Sequence, residues 1–518
     1  MQVERIISGG LMLALLAALF FRLYPLAAGG EVLDRFFITE DGYLLLTVSR
    51  NLALGNGLSV SAGEIASNGF QPLVTFLFAI PYLIFDGDKW MGLWGVGLAS
   101  ALVCVVACWL IWRFALRAFG GQVNAVLALI VAALWFTGPL LMFHSMNGLE
   151  TALYTAMVVG TLVYMGHLLA TRTRLRWADR IILGTLCGLV FLARNDGVFL
   201  VAALLGIRFV QAQLQDGLSL GEALAEIVPV GLVALAWAAP WLAYNYMISG
   251  SIIPISGQAQ SLKAVFAGNL DQSPVKAFET MFPMLPLPRP MERMEHMDLA
   301  TGGITALILA LFVWRVLRAG GTFRWVILAY AIYAVAIFCY YSLAFGASHF
   351  LSRYFAPSAP LLITAAVSVG YALLILILRH WARPALMGAG MLSVLLCLAL
   401  LGRMLQPGAN VQGHFQVVDW VRANVAEDTW AGAVQTGTLG YWHDRTINLD
   451  GKVNPDALAA RKADGHIFAY AVQSRIDVIA DWTGIAHWAA APEGGFNQTF
   501  ELIVNDEANN LAVLRRRP

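Results

Sequence analysis

The sequence predicts a mainly α-helical, polytopic membrane protein with a small α/β domain at its C-terminal end. Of the 518 residues, 59% are hydrophobic and 13% are charged, and the mean hydropathy is +0.69. Apolar runs long enough to cross a bilayer recur as far as residue 402, whereas residues 403–518 alternate short helical and β-type patterns. This composition excludes an ordinary soluble globular protein, and the net charge of +1 gives no argument for nucleic-acid binding.

The predicted transmembrane segments are about eleven in number by the length criterion. They cover residues 6–28, 90–112, 123–143, 151–170, 181–193, 198–210, 224–246, 301–318, 325–345, 354–378 and 385–402. Residues 73–85 are apolar but shorter than the roughly 20 residues that a span needs, so we expect an interfacial or re-entrant segment there. The first run ends like a signal peptide, but Arg22 interrupts it and many spans follow, so we expect an uncleaved helix.

The placement of arginine sets the predicted orientation. If the N-terminus is cytoplasmic, every short arginine-bearing loop lies inside, as the positive-inside rule requires. The first loop, the tail and the other polar clusters then lie on the extracytoplasmic side. These regions are residues 29–89, 144–151, 194–197, 247–300, 349–354 and 403–518. We therefore predict a transmembrane domain at residues 1–402 and a soluble extracytoplasmic domain at residues 403–518.

The C-terminal tail is predicted to form an α/β sheet with helical crossovers. Helical patterns cover residues 417–425, 455–463 and 466–474; strand patterns cover 430–434, 446–449 and 477–480, and a hairpin follows over 500–514. The segments 437–441 and 450–454 follow strands, where loops can bind ligands, but their glycine patterns are more typical of ordinary turns. All five cysteines lie in apolar segments and are interpreted as small core residues without disulfides.

Two adjacent carboxylates, Glu40 and Asp41, stand just after the first predicted span. Apolar residues recur after them at helical spacing, which predicts a short amphipathic helix at the membrane surface with the acidic pair in its first turn. Thr39 before the pair is typical of a helix N-cap, and the two carboxylates would then only complement the helix dipole. Spacing alone leaves both this structural interpretation and a functional one open.

The first loop resembles the signature of the GT-C glycosyltransferases, polytopic enzymes that take a sugar from a polyprenyl phosphate. The similar segments are residues 39–43, 49–52, 55–58 and 69–73. The similarity is to the branch that contains bacterial arabinofuranosyltransferases and mannosyltransferase-like enzymes, although Glu40 replaces the first aspartate of the usual motif and Gly42 replaces its alanine. The resemblance implies that Asp41 is the catalytic base, with Glu40 as its catalytic neighbour or an acceptor ligand. The substrate-pocket residues that it implies in this loop are Tyr43, Arg50 and Asn51.

Ionisable residues at the ends of predicted spans are costly in a membrane and are therefore further candidates. Glu150 begins one apolar helix, and Arg194 and Asp196 bracket a tight turn between two short segments. A carboxylate that complements a helix dipole and a mutual ion pair are the structural alternatives, and both remain open. The resemblance extends to residues 146–154 and 194–197. It implies that Arg194 binds the donor phosphate and that Glu150 and Asp196 line the substrate pocket.

The outer end of a late span carries His349, Arg353 and Tyr354. Residues 353–360 resemble the start of that helix in the family, whereas a lone arginine there would otherwise extend to lipid headgroups. A guanidinium is a permanently charged, bidentate phosphate partner, so Arg353 is the predicted donor-phosphate ligand. Lys263 is a second candidate for that role, and His349 and Tyr354 are predicted to line the substrate pocket.

The resemblance implies an inverting transfer of a sugar, arabinofuranose being one candidate, from a polyprenyl monophosphate to a hydroxyl of an envelope glycan or glycolipid. Asp41 would take the acceptor proton while cations hold the departing phosphate, so a second catalytic acid is not required. We expect no cofactor beyond the lipid-linked donor and no metal, although a divalent ion between Glu40 and Asp41 stays open. The implied partners are the donor, the acceptor and the lipid of a bacterial inner membrane, without nucleic acid.

Three competing classes remain open. A flippase or transporter for lipid-linked sugars would also have many spans, but it typically shows repeat symmetry, which we do not find in this sequence. An oligosaccharyltransferase with a pyrophosphate donor resembles the first loop less well. A membrane scaffold that presents the tail to glycans would not need Asp41. Metalloprotease, Walker and serine-hydrolase motifs are absent from the sequence, which argues against those enzymes.

Overall fold

Most of the described residues up to residue 404 are helical. The computed structural model describes residues 2–119, 125–262, 264–292, 294–406 and 413–518. Its long helices and the two halves of one bent helix are Gln2–Ala28, Lys89–Ala118, Ala125–Thr137, Pro139–Met146, Thr151–Thr171, Trp177–Ala193, Val198–Leu214, Leu220–Ser249, Met297–Ala319, Arg324–Leu343, Ala359–Leu378 and Ala382–Met404. Short helices in the connecting loops are Gly30–Arg35, Glu40–Ala53, Pro72–Ile84, Ile255–Ser261, Ser273–Met281, Arg289–Glu292 and Leu351–Phe355.

The number of membrane spans differs from the predicted eleven. Within the described ranges, eight helical segments are long and apolar enough to cross a membrane, or up to nine if a bent pair counts as one span. Where the structure describes them, the eleven predicted segments lie mainly on helices. However, Trp177–Ala193 has only 17 residues, and residues 348–404 form one almost unbroken helical stretch. The pair Ala125–Thr137 and Pro139–Met146 meets at 61° because a proline cannot continue the helical hydrogen bonding. Pro72–Ile84, with 13 residues, is too short to cross.

The helices differ in how deeply they lie within the bundle. In the apolar 18-residue stretch of Thr151–Thr171, 67% of the residues are buried in the protein, against 11% in the corresponding stretch of Met297–Ala319. The first of these helices therefore lies in the interior, where it can carry site residues at its end, and the second lies at the periphery. Since a bilayer solvates apolar side chains, the exposed leucines and tryptophans of the peripheral helices need no protein partner.

A buried ionic group joins two of the transmembrane helices at their predicted cytoplasmic ends. The Arg208 guanidinium donates to Glu226 (Nε to Oε2, 2.9 Å) and to Asp216 (Nη1 to Oδ2, 2.7 Å). Glu226 also accepts a hydrogen bond from the backbone of Leu175 at 2.8 Å. Arg208 is thus a satisfied internal charge that closes a helical hairpin.

The C-terminal tail forms the predicted α/β sheet. A small hairpin in the first loop supplies β1 (Ser59–Val60) and β2 (Ile65–Ala66), and the tail supplies β3 (Ala431–Ala433), β4 (Thr446–Asn448), β5 (Val478–Asp481), β6 (Phe500–Asp506) and β7 (Leu511–Arg516). The order of the five-stranded sheet is β4-β3-β5-β7-β6, with β3 parallel to β4 and β5, and with β7 antiparallel to β5 and β6. The helices of the tail are Phe415–Asn424, Gly437–Trp442, Pro455–Asp464, Phe468–Gln473 and Phe496–Thr499. The predicted helices, strands and closing hairpin of the tail are confirmed.

The C-terminal tail from residue 413 onward, called the sheet domain below, shares a hydrophobic core with the first loop. Tyr43, Phe70, Tyr441 and Val453 are all at most 5% exposed and belong to one cluster. The hydroxyls of Tyr82 and Tyr441 lie 2.9 Å apart, and Tyr441 also donates to the Lys89 carbonyl at 2.6 Å. Because this contact is apolar at its centre and hydrogen-bonded around it, the sheet domain is fixed against the first loop.

Candidate active site

The helix Glu40–Ala53 places the acidic pair of the first loop. Thr39 caps it, since its side-chain oxygen accepts from the backbone N–H of Gly42 at 3.3 Å. The cap interpretation is therefore right for Thr39. The alanine of the related motif does not fit at position 42, because a Cβ there would overlap the carbonyl oxygen of Asn147. Gly42 thus lets the helix start lie directly on the turn that precedes Glu150.

Asp41 lies between two cations. Its Oδ2 is 3.4 Å from Nη1 of Arg353, and its Oδ1 is 3.7 Å from Nζ of Lys452. Burial raises the pKa of the Asp41 carboxyl, but the positive charges of Lys452 and Arg353 and the neighbouring His349 outweigh it, so this pKa lies below its ordinary value. Asp41 is therefore ionised at neutral pH and is available as a proton acceptor.

Arg353 is positioned by aromatic rings. Its guanidinium lies 4.6 Å from the ring centroid of Phe350, and Nη2 donates to the Tyr354 hydroxyl at 3.2 Å. The Nε atom is buried without a hydrogen-bond partner among the described residues. A partly buried guanidinium with an unpartnered Nε, in cation–π contact with a ring, is suited to bind an anion.

A second ionic group lies deeper in the same region. Arg194 donates to Asp196 and to the Tyr341 hydroxyl, the latter at 2.9 Å, and its Nε is 3.7 Å from Oε1 of Glu150. Tyr341 in turn donates to Asp196 at 2.7 Å and stacks on Tyr354 with ring centroids 4.1 Å apart. The predicted ion pair between Arg194 and Asp196 is thus confirmed. Tyr341 and Tyr354 connect this pair to Arg353.

These groups line one cavity of about 450 Å³. Its charged wall residues are Asp41, Glu150, Arg194, Asp196, Arg353 and Lys452. Its aromatic wall residues are Phe70, Phe191, Phe199, Tyr340, Tyr341, Phe345, Phe350 and Tyr354. A mostly apolar cavity with a few converging polar groups is typical of a ligand-binding site, and its size is within the range of small-molecule sites. The described residues include no group of three or more His, Cys, Asp or Glu side chains that could hold a metal ion.

Known proteins share this architecture. The structure is similar to ArnT from Cupriavidus metallidurans bound to undecaprenyl phosphate, with a TM-score of 0.59 and 14% identity over 98% of each chain. It is also similar to the archaeal oligosaccharyltransferase AglB from Archaeoglobus fulgidus in complex with an inhibitory peptide and a dolichol-phosphate, with a TM-score of 0.57 and 14% identity over 96% of this chain and 72% of that chain. The chain has the GT-C fold.

Two protein families match different parts of this sequence. The dolichyl-phosphate-mannose-protein mannosyltransferase family matches residues 70–244, and a domain of unknown function (DUF8728) matches residues 405–509. A search of curated protein sequences gave no match. The mannosyltransferase match and the GT-C fold together indicate a glycosyltransferase.

Four residues predicted for the GT-C site lie outside the cavity wall. The Glu40 carboxylate accepts hydrogen bonds from the backbone of Gly437 and from the backbone and hydroxyl of Thr438, in the sheet domain. The other three residues bind backbone carbonyls: Tyr43 binds Asp34, Arg50 binds Gly87, and Asn51 binds Ser59. The structure therefore gives these four side chains contacts that hold the first loop together or attach it to the sheet domain. These contacts replace the predicted catalytic position of Glu40 and the predicted pocket positions of the other three.

The remaining predicted residues divide between the cavity and its surroundings. Glu150, Arg194, Asp196, Arg353 and Tyr354 line the cavity with Asp41. His349 is exposed, with its ring 4.0 Å from that of Phe350. Lys263 lies outside the described residues. Lys452 was not among the predicted residues, because its segment after a strand was interpreted as an ordinary turn; the Asp450-Gly451-Lys452 sequence was the available signal.

Proposed function

We propose that the protein is an inverting GT-C glycosyltransferase that moves a sugar from a polyprenyl monophosphate to a hydroxyl of a cell-envelope glycan or glycolipid. The observation that carries the proposal is the juxtaposition of Asp41 with Arg353 in one cavity. A carboxylate that is ionised at neutral pH, beside a guanidinium whose Nε has no hydrogen-bond partner among the described residues, is the pair that this reaction needs. Arabinofuranose, which the first-loop resemblance implies, is the first sugar to test.

In the proposed reaction, the acceptor hydroxyl attacks the anomeric carbon from the face opposite the phosphate. A bond forms between the hydroxyl oxygen and the anomeric carbon, and the bond between that carbon and the phosphate oxygen breaks, its electron pair leaving with the phosphate. The hydroxyl proton passes to Asp41. Arg353 stabilises the negative charge that grows on the leaving phosphate, and displacement from one face inverts the anomeric centre.

The Arg194 group has a supporting role in this proposal. Arg194 is already paired with Asp196 and Glu150, so its charge is mostly balanced before any ligand arrives. It positions Tyr341, whose ring stacks on Tyr354 next to Arg353. We assign Arg194 and Glu150 to the sugar end of the cavity, where hydroxyl groups offer partners to an ion pair, and Arg353 to the phosphate end.

The membrane arrangement of the proposal follows the arginine distribution. The N-terminus is cytoplasmic in the bacterial inner membrane, and the cavity opens on the extracytoplasmic side beneath the soluble domain of residues 403–518. Residues 1–402 form the catalytic membrane domain. The undecaprenyl phosphate of the ArnT complex and the dolichol-phosphate of the AglB complex support a lipid-phosphate donor in this fold.

The test uses purified protein in lipid nanodiscs with a panel of short-chain polyprenyl monophosphate sugars and with pyrophosphate-linked sugars. The released lipid phosphate is identified by mass spectrometry with envelope glycan as acceptor. We expect monophosphate release from one donor, and a decrease of about 10²–10⁴-fold for Asp41→Asn, the scale of lost base catalysis. Asp464→Asn, at an exposed position of the sheet domain, is the matched control. Pyrophosphate release, sugar translocation without a covalent product, or full activity of Asp41→Asn would contradict the proposal.

A further inference from the structure

Lys452 reaches the candidate active site from the sheet domain. It lies between β4 and the helix Pro455–Asp464, far along the chain from the membrane helices. Its side chain is 19% exposed and lines the same cavity as Asp41 and Arg353. The ammonium group is 3.7 Å from Asp41 Oδ1, while Arg353 approaches the other carboxylate oxygen. Lys452 and Arg353 thus contact the two different oxygens of one carboxylate.

The backbone around Lys452 is held at fixed points. Its carbonyl oxygen lies against Gly69 of the first loop so closely that a Cβ on Gly69 would overlap it. The next residue, Val453, is 2% exposed in the core shared with the first loop. On the other side, Lys452 N–H donates to Asp450 Oδ1 at 2.8 Å, and Asp450 Oδ2 is 3.4 Å from the ammonium. The loop therefore presents the ammonium to the cavity from a constrained backbone.

The spacing of the charges indicates a site that still has binding capacity. A charge-assisted N–H···O hydrogen bond is about 2.7–2.9 Å long, whereas the two cations are 3.4 and 3.7 Å from Asp41. Neither cation is therefore closely bound to the carboxylate. When a sugar leaves its phosphate, the phosphate changes from a singly charged diester to a monoester of about −1.5 to −2, so the charge to be stabilised increases during the reaction.

We propose that Lys452 is a second ligand of the donor phosphate, placed across Asp41 from Arg353, so that the sheet domain supplies part of the active site. This inference rests on the proposed function. A phosphate between Lys452 and Arg353 draws both cations towards itself and leaves Asp41 beside an anion. The lipid-linked donor thereby makes Asp41 a stronger base at the moment when the acceptor proton must leave. The sheet domain is then required for donor binding as well as for any contact with acceptor.

Binding of undecaprenyl monophosphate tests this assignment without knowledge of the sugar. Nanodiscs with the full-length chain are titrated with the monophosphate and with the uncharged alcohol undecaprenol. We expect Lys452→Gln to weaken monophosphate binding by about tenfold or more, as for loss of one charge-assisted contact, and to leave binding of the alcohol unchanged. Lys452→Arg should retain most of the affinity. Lys462→Gln, an exposed lysine of the same domain that bonds to Gln258, is the charge-matched control.

The pH profile supplies a readout that a purely structural role would not change. Lys452, Arg353, His349 and Tyr354 are the groups that act on Asp41, and removing the Lys452 charge should raise the pKa of the Asp41 carboxyl. The acid limb of kcat/KM should therefore move to higher pH in Lys452→Gln and stay in place in Lys452→Arg and Lys462→Gln. The unfolding temperature of each variant, measured in the same nanodiscs, identifies any that fail to fold. If Lys452→Gln does not fold, the neutral substitution Lys452→Met replaces it in the comparison with Lys452→Arg.

The outcomes separate the two proposals. A wild-type protein that binds the monophosphate no better than the alcohol would overturn the proposed function, and the role of Lys452 with it. A wild-type preference that Lys452→Gln retains in full, with an unchanged acid limb, would overturn only the assignment of Lys452. Loss of the preference in Lys452→Gln but not in Lys462→Gln would establish the sheet domain as part of the donor site.

Discussion

Glu40 and Asp41 are adjacent in the chain, but their carboxylates have different partners. Asp41 lies in the cavity between Arg353 and Lys452, whereas Glu40 accepts hydrogen bonds from Gly437 and Thr438 of the sheet domain. One turn of helix therefore carries both a candidate catalytic group and the residue that attaches the sheet domain. Since the sheet domain also brings Lys452 to Asp41, the attachment and the chemistry are coupled through this turn.

Glu40→Gln should loosen the sheet domain. The substitution replaces a carboxylate that accepts two backbone N–H groups and one hydroxyl, and hydrogen bonds to a charged group are worth about 1.5–3 kcal/mol each. We expect a lower unfolding temperature, faster proteolysis of the sheet domain and reduced turnover. Glu64→Gln is the control, since its exposed ion pair with Arg475 also joins the first loop to the sheet domain and should contribute little. Equal effects of the two substitutions would contradict this role of Glu40.

Gly437→Ala should disrupt the contact between Glu40 and the sheet domain by steric overlap. A Cβ at Gly437 would overlap the backbone carbonyl of Glu40, and overpacking of this kind costs about 1–3 kcal/mol. Gly440→Ala, in the same helix, is the control, because the nearest atom to its Cβ is in Thr446 at 3.8 Å, an ordinary contact. We expect lower stability and lower donor affinity for Gly437→Ala only. The measurements are the unfolding temperature and undecaprenyl phosphate binding; unchanged binding in a folded Gly437→Ala protein would contradict the coupling.

The local sequence was sufficient for most of the fold. Runs of apolar residues predict membrane helices because length and composition decide whether a segment can cross, and period-two and helical patterns located the strands and three of the helices of the tail. The segment 437–441, which was interpreted as a turn, is instead the helix Gly437–Trp442. The count of spans was less reliable. Two of the segments are helices of only 17 residues, and a continuous helical stretch joins the last two. How short helices share a bilayer depends on their neighbours and not on their own composition.

The segments that resemble the family predicted only part of the site. Asp41 and Arg353 follow from the resemblance and meet in the cavity, but the partner of Glu40 is 397 residues away in the chain. No local pattern predicts that distance, so Glu40 was assigned to chemistry and Gly437 to a turn. Lys452 was missed for the same reason. The departure of Gly42 from the usual alanine became explicable only from its contact with Asn147.

Metal removal should leave the reaction intact. The described residues contain no group of three or more metal-binding side chains, and Lys452 and Arg353 already supply positive charge beside Asp41. We expect turnover in EDTA to equal turnover in added Mg²⁺ or Mn²⁺, with glycan acceptor and donor held constant. Activity that EDTA abolishes and a divalent ion restores would mean that a metal, and not the two side-chain cations alone, stabilises the leaving phosphate.

Arg194→Met alone should destabilise the membrane domain more than the double variant that also removes the charge of Asp196. Arg194 is 2% exposed and balances Asp196, and removal of one partner from a buried ion pair leaves an uncompensated charge that costs about 3–5 kcal/mol. In the double variant Arg194→Met with Asp196→Asn, both charges are absent, so part of that loss should be recovered. Thermal unfolding in nanodiscs measures the four-variant cycle. An additive cycle would show that the two side chains do not stabilise each other, and that Arg194 is instead free to bind ligand. If the cycle shows that Arg194 and Asp196 are strongly coupled, Arg353 and Lys452 are the cations of the cavity wall that can bind the donor phosphate.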